Sequence, residues 1–127
     1  MTAGTEHDRE LDSDLVSIIM PTYNCGAFIA ETIAAVQAQT HSRWELIVVD
    51  DCSTDDTTDV VGALAKDDPR IRYVRLETNS GAAMARNRAM ELAQGRYMAF
   101  LDSDDLWHPD KLRRQINFMT SHGVAMS

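Results

Sequence analysis

The sequence predicts an α/β fold, a Rossmann-like parallel sheet of strand order 3-2-1-4 with helices on both faces. Short apolar runs alternate with amphipathic stretches from Leu15 onward, in the order βαβαβαβα. The runs are nearly continuous in apolar residues, as strands buried on both faces are, and helical crossovers between them make the sheet parallel. Acidic and turn-forming residues follow the strands at one end, where a sheet of this order opens a crevice between its first and fourth strands.

The elements follow in turn. Residues 1–14 are polar and acidic, with Glu6, Asp8, Glu10, Asp12 and Asp14, and read as a disordered tail ahead of a single unit spanning 15–127. Leu15 to Met20 is a buried strand halted by Pro21. Ala27 to Gln39 carries Phe28, Ile29, Ile33, Val36 and Ala38 at mostly helical spacing. Trp44 to Val49 is the second strand. A helix follows from about Asp55 to Ala65, with Ser53 or Thr54 available as its cap and acids in its first turn. Ile71 to Leu76 is a more exposed strand after Pro69. Gly81 to Ala93 is a helix rich in Ala, Met and Arg, capped by Asn79 or Ser80 and stopped at Gly95. Tyr97 to Leu101 is the fourth strand, and Asp110 to about Ser121 the last helix.

The 127 residues suffice for one domain, and 44% hydrophobic with 25% charged content is ordinary for a globular chain. The formal net charge of -8 repels polyphosphate backbones and argues against nucleic acid as a partner. An anionic ligand would then need a metal ion or backbone N–H groups. No apolar run is long enough to span a bilayer, and no basic-then-apolar leader opens the sequence. Cys25 and Cys52 fit no zinc spacing and read as free thiols of a reducing compartment. A cytoplasmic location follows, with peripheral attachment to the inner membrane surface compatible with it.

Three groups of residues stand out. Asp102, Asp104 and Asp105 crowd the end of the fourth strand, where like charges repel by about 1 kcal/mol each even in water. A hard divalent cation, Mn²⁺ or Mg²⁺, would offset that cost and bridge to phosphates. The alternative is a solvated loop in which one Asp caps the next helix. Asp50 and Asp51 end the second strand, where a carboxylate can accept an N–H from a base or a ribose hydroxyl, or can simply cap a helix. Tyr23, in a turn with Asn24 and Gly26, can stack on a base or serve as a packed lid. Arg86 and Arg88 lie two apart on one helix, so only one of them can face the crevice. No Gly-x-Gly-x-x-Gly or Gly-Lys-Ser/Thr loop occurs.

Four segments taken together resemble the family 2 glycosyltransferases of the GT-A fold. They are Val16 to Asn24, Gln39-Thr40 with Trp44 to Asp55, Asn79-Ser80-Gly81 through Asn87, and Phe100 to Trp107. The resemblance implies the nucleotide-binding half of such an enzyme, with a nucleotide-diphosphate sugar, favoured as UDP-linked, as its partner. It implies nucleotide contacts at Pro21, Thr22, Tyr23, Asn24, Asp51, Arg86, Asp102 and Ser103, and metal ligation by Asp104 with Asp102 and Asp105. It further implies a single inverting displacement whose carboxylate base lies beyond Ser127, so that the 127 residues alone transfer sugar poorly. An uncovered sheet edge would then favour a homodimer. Two other classes compete with this expectation. One is a non-catalytic nucleotide-sugar-binding or scaffold module. The other is a phospho-acceptor receiver domain, which would need its acid pair after the first strand and a lysine after the last.

Overall fold

The computed structural model describes residues 15–102 and 105–122; the expected acidic tail at 1–14 lies outside them. Four strands, β1 (Val16–Thr22), β2 (Trp44–Asp50), β3 (Ile71–Arg75) and β4 (Tyr97–Phe100), alternate with four helices. The helices are α1 (Ile29–Gln37), α2 (Thr57–Asp67), α3 (Ala82–Leu92) and α4 (Lys111–His122). All strand pairs are parallel and the order is β3-β2-β1-β4, as the sequence predicts.

The pleat divides the core. Val16, Ile18 and Met20 of β1 and Leu46 and Val48 of β2 face a cluster with Ile29, Ile33 and Val36 of α1, Val61 of α2 and Leu112 of α4. Ile19, Ile47 and Val49 face the other way, against Ala85 and Ala89 of α3. Helices therefore cover both faces, three to one among the described residues. The small side chains at Ala85 and Ala89, four apart, let α3 approach the sheet closely.

The differences from expectation have local causes. β1 runs through Pro21 to Thr22 instead of stopping. Leu101 N–H bonds Ile19 O while Asp51 N–H bonds Thr22 O, so alternate residues of β1 address β4 and β2 in turn. Pro21 faces the β4 side beyond the end of that shorter strand, where its missing N–H forfeits no ladder bond. Gly95 does not stop α3, which ends at Leu92. It is needed for close approach, since a Cβ there would lie 2.6 Å from Leu15 O and 2.9 Å from Ser17 N. The Gly95 N–H donates to Ser17 Oγ (2.8 Å), Ser17 Oγ donates to Glu45 Oε2 (2.6 Å), and Gln94 N–H donates to the same oxygen (2.7 Å). This polar staple ties the α3–β4 turn to β1 and β2 at the end of the sheet opposite the acids.

Candidate functional site

The carboxyl ends of β1, β2 and β4 deliver Pro21 to Asn24, Asp50-Asp51 and Asp102 to one edge of the sheet. Thr22 is buried at the end of β1, and Tyr23 beyond it is 47% exposed. Asn24 takes a left-handed backbone (φ 50°), which asparagine tolerates better than most residues. Its side chain is spent on the neighbouring loop: Asn24 Oδ1 accepts Thr54 N–H (2.8 Å) and Asp55 N–H (3.3 Å). Its own N–H donates to Ser53 Oγ (2.9 Å), and Cys25 N–H donates to Thr57 Oγ1 (2.9 Å). Ser53 and Thr54, expected as helix caps, thus join the β1–α1 and β2–α2 loops instead, and Asp56 stands at the N-cap of α2 without a side-chain cap bond. Asp55 bonds the Thr57 hydroxyl and N–H, which holds its carboxyl below the usual range.

The two acids ending β2 part company. Asp50 is fully buried on the α2 face. Its Oδ1 accepts Ser53 N–H (2.9 Å) and Ser53 Oγ (2.5 Å); its Oδ2 accepts the Tyr73 hydroxyl and, at 3.4 Å, Thr58 Oγ1. Burial, and then the Asp50 carboxylate, push the Tyr73 phenol up to about 12. Asp51 turns to the α3 face. Its Oδ1 accepts Ser80 N–H (2.6 Å) and its Oδ2 accepts Gly81 N–H (2.8 Å), while Asn79 Nδ2 donates to its backbone carbonyl (3.2 Å). The α3 terminus expected to be capped by Asn79 or Ser80 is held by Asp51, with Gly81 at φ 98° as N-cap. Each Asp51 oxygen has one protein donor and a second lone pair, on a residue only 5% exposed. Cys52 follows at φ 66°, turning the chain sharply away from Asp51. Cys25 and Cys52 are not joined in a disulfide, and Cys25 Sγ donates to Tyr23 O (3.1 Å).

At the end of β4, Asp102 is exposed and its carboxylate has no hydrogen-bond partner among the described residues. Asp105 N–H bonds Asp102 O (3.0 Å), and Asp105 Oδ1 accepts Leu106 N–H (3.1 Å). Ser103 and Asp104, the remaining expected ligand contacts, lie outside the described residues, and among those described no three metal-ligating side chains come together. Uncommitted carboxylate oxygens at Asp102 and Asp105, with no lysine or arginine paired to either among the described residues, are a donor set that fits Mg²⁺ or Mn²⁺. Arg86 is exposed and has no carboxylate partner among the described residues, whereas Arg88 pairs with Glu91 at 3.5 Å. A cavity of about 660 Å³ opens beside Ser80 and is bounded by Leu76, Met84, Asn87 and Met98; none of the expected site residues lines it.

Gln39 and Thr40 had a place in the sequence pattern but no role. Gln39 is buried and clamps the start of α4: its Nε2 donates to His108 O (2.8 Å) and its Oε1 accepts Leu112 N–H (3.1 Å). Thr40 Oγ1 donates to Asp110 Oδ1 (2.9 Å), the first cause holding that carboxyl below its usual range. The far end of the acidic loop is therefore fixed to the end of α1. A Gln-Thr pair just past a helix end was the signal available in the sequence; the burial of Gln39 and its partners, 69 and 73 residues away, were not.

The chain matches the family model described as "Glycosyl transferase family 2" over residues 17–127. It is 55% identical over 113 residues to the putative teichuronic acid biosynthesis glycosyltransferase TuaG of Bacillus subtilis, covering 89% of this chain and 45% of that one. Among solved structures it is similar to S. aureus TarS 1-349 in complex with UDP-GlcNAc, with a TM-score of 0.79 and 35% identity over 85% of this chain and 32% of that one. The mannosyltransferase PcManGT from Pyrobaculum calidifontis, in complex with GDP-Man and Mn²⁺, gives a TM-score of 0.77 and 31% identity over 82% of this chain and 32% of that one. The chain thus spans less than half the length of the relatives it matches.

Proposed function

This chain belongs to glycosyl transferase family 2 and has the GT-A type of sheet, and from that premise we propose that it binds the nucleotide sugar for an inverting glycosyltransferase. The donor is a UDP-linked sugar, held with Mn²⁺ or Mg²⁺, and the sugar passes to an acceptor hydroxyl. The observation that carries this is the meeting of Tyr23, Asp51 and Asp102, from three strands, at one edge of the sheet. The similar TarS structure holds UDP-GlcNAc and the similar mannosyltransferase holds GDP-Man with Mn²⁺, which supports a nucleotide-diphosphate sugar here.

In this site Pro21 and Thr22 form the floor under the base, and the exposed ring of Tyr23 stacks on it. Asp51, anchored by Ser80 and Gly81, accepts the imide N–H of a uracil-type base. Its preset orientation spares the entropy of ordering a carboxylate on binding. Asn24 acts through the loop it braces, and Arg86, with no carboxylate partner among the described residues, offers its cation to the nucleotide. Asp102 and Ser103 meet the ribose side; Asp104, with Asp102 and Asp105, would hold the divalent ion. Such an ion, when bound, supplies positive charge to the departing nucleoside diphosphate. The acids of this loop are committed to the cation, so the base that deprotonates the acceptor comes from elsewhere in the assembled enzyme. The 127 residues are then expected to bind donor and to transfer sugar weakly. The outer edges of β3 and β4 have no strand partner among the described residues, and a second copy adding along one of them would give a homodimer on the inner side of the membrane.

Calorimetry with UDP, GDP and CDP, each with and without Mn²⁺, tests the proposal. UDP binding that strengthens with Mn²⁺, loses that gain in Asp104→Asn and weakens in Tyr23→Ala and Asp51→Asn is expected. Nucleotide binding indifferent to all three substitutions would defeat it.

A further inference from the structure

We propose that a second pocket, beside the acidic loop, receives a sugar phosphate, the acceptor side of the transfer; its role as an acceptor site rests on the donor assignment above. A cavity of about 390 Å³ lies between the loop after β4 and the first turns of α4, bounded by Asp105, Trp107, His108, Lys111, Arg114 and Gln115. Lys111 and Arg114 have no carboxylate partner among the described residues, while Arg113 between them pairs with Asp110 at 3.3 Å. Lys111 Nζ lies 4.9 Å from the Trp107 ring centroid, so the cation rests over the pocket's aromatic wall. His108 Nδ1 accepts Asp110 N–H (3.2 Å), which leaves its proton on Nε2 as a further donor.

Two buried polar atoms of residues that bound this pocket lack partners among the described residues: the indole N–H of Trp107, a residue only 6% exposed, and the side-chain carbonyl of Gln115. Buried polar groups are nearly always satisfied, and these two are of opposite kind, one donor and one acceptor. A phosphoryl group meets the accessible donors Lys111, Arg114 and His108, with the enclosed indole N–H behind them. A sugar hydroxyl meets the acceptor on Gln115. The first turn of α4 holds no acid, and the Asp110 carboxylate just before it, already paired with Arg113, is the counter-charge that Arg114 and His108 share. On a chain of net charge -8 this cluster is a local exception, and the Gln39 clamp fixes the turn that carries it.

The test is the indole ¹⁵N–¹H NMR signals of the 127-residue chain titrated with glucose 1-phosphate without metal. The Trp107 signal should shift, saturating with a Kd in the range of about 1 mM. Trp44, whose indole is also buried without a partner but lies under Arg70, should stay still and serves as the internal reference. Lys111→Gln with Arg114→Gln should weaken binding at least about tenfold while the melting curve is retained, because an ordinary surface substitution costs little stability. UDP with Mn²⁺ should bind that variant as it binds the original chain. A Trp107 signal unmoved at about 10 mM ligand would overturn the proposal, as would equal binding by the double variant. Inorganic phosphate binding as tightly as glucose 1-phosphate would overturn the sugar half. Competition between glucose 1-phosphate and UDP, with both weakened in the double variant, would assign the cations to the donor diphosphate and overturn the acceptor assignment. A chain that fails to bind UDP yet still shifts Trp107 would count against the donor site alone and leave the sugar-phosphate pocket standing.

Discussion

Asp50→Asn should destabilise the fold while leaving nucleotide recognition largely intact. The carboxylate is fully buried and takes bonds from Ser53 N–H, Ser53 Oγ, the Tyr73 hydroxyl and Thr58 Oγ1. An asparagine keeps one oxygen for Ser53 and turns an NH₂ toward Tyr73 and Thr58, whose hydroxyls must then rotate to accept. Bonds to a charged acceptor are worth about 1.5–3 kcal/mol and neutral ones about 0.5–1.5, so the exchange loses several increments of about 1 kcal/mol. Relief from burying a charge returns part of that, leaving a net cost of about 2 kcal/mol. For a domain of this size that lowers Tm by roughly 6–12 °C.

Urea unfolding and thermal melts of Asp50→Asn, Tyr73→Phe and the double variant measure this. The two single costs should exceed their combination by about 1 kcal/mol, because each removes the same bond. The alkaline limb adds a second readout. Tyr73 titrates near 12 in the folded chain against about 10 unfolded, so its contribution is complete below pH about 10 and is lost as pH rises through about 12. Burial is the first cause and Asp50 the second, so Asp50→Asn should bring the phenol only part of the way back. An Asp50→Asn chain within about 0.5 kcal/mol of the original, or strict additivity with Tyr73→Phe, would refute the assignment.

Further expectations concern the rest of the frame. Gly95→Ala should cost about 2–4 kcal/mol in urea unfolding, since the new methyl meets Leu15 O at 2.6 Å and Ser17 N at 2.9 Å and loosens the Ser17–Glu45 staple. Asp68, held near 2 chiefly by its bond to Arg70, contributes stability that is present above about pH 4 and lost as pH falls through about 2. Asp68→Asn should therefore flatten the acid limb of stability against pH. Gln39→Leu should cost about 1–2 kcal/mol by orphaning Leu112 N–H and leaving His108 O with the Lys111 N–H alone, and should speed hydrogen exchange at the start of α4 more than in the strands.

How far the sequence was legible depended on the range of the physics. Strand order and helix count rest on local periodicity and crossover handedness, and these agree with the structure. Pro21 misled because its cost depends on whether a neighbour lies opposite, and β4 ends before reaching it. Gly95 misled because a glycine that ends a helix and one that admits a close backbone have the same sequence appearance. The convergence of Tyr23, Asp51 and Asp102 was legible, since it follows from parallel strands ending at one edge. The loop-bracing role of Asn24 and the clamp of Gln39 were not, because their partners lie 29 to 73 residues away and only the folded chain brings them near.

Asp50 and Asp51 show where a single further step would have sufficed. Successive residues of a strand point to opposite faces, so two adjacent acids at its end cannot share one environment. Asp50 has the parity of Leu46 and Val48 and must go where α1 and α2 pack; Asp51 has the parity of Ile47 and Val49 and must go to α3. On the first face a carboxylate is enclosed by the body of the domain, and it persists only with several donors around it, which Ser53, Thr58 and Tyr73 provide. On the second it meets the N-terminus of a single helix, where two backbone amides hold it and each oxygen has taken only one donor. The pleat thus gives one dipeptide two environments, a buried strut at Asp50 and, in the function proposed, a ligand contact at Asp51, and substituting either acid should disturb only its own half of that division.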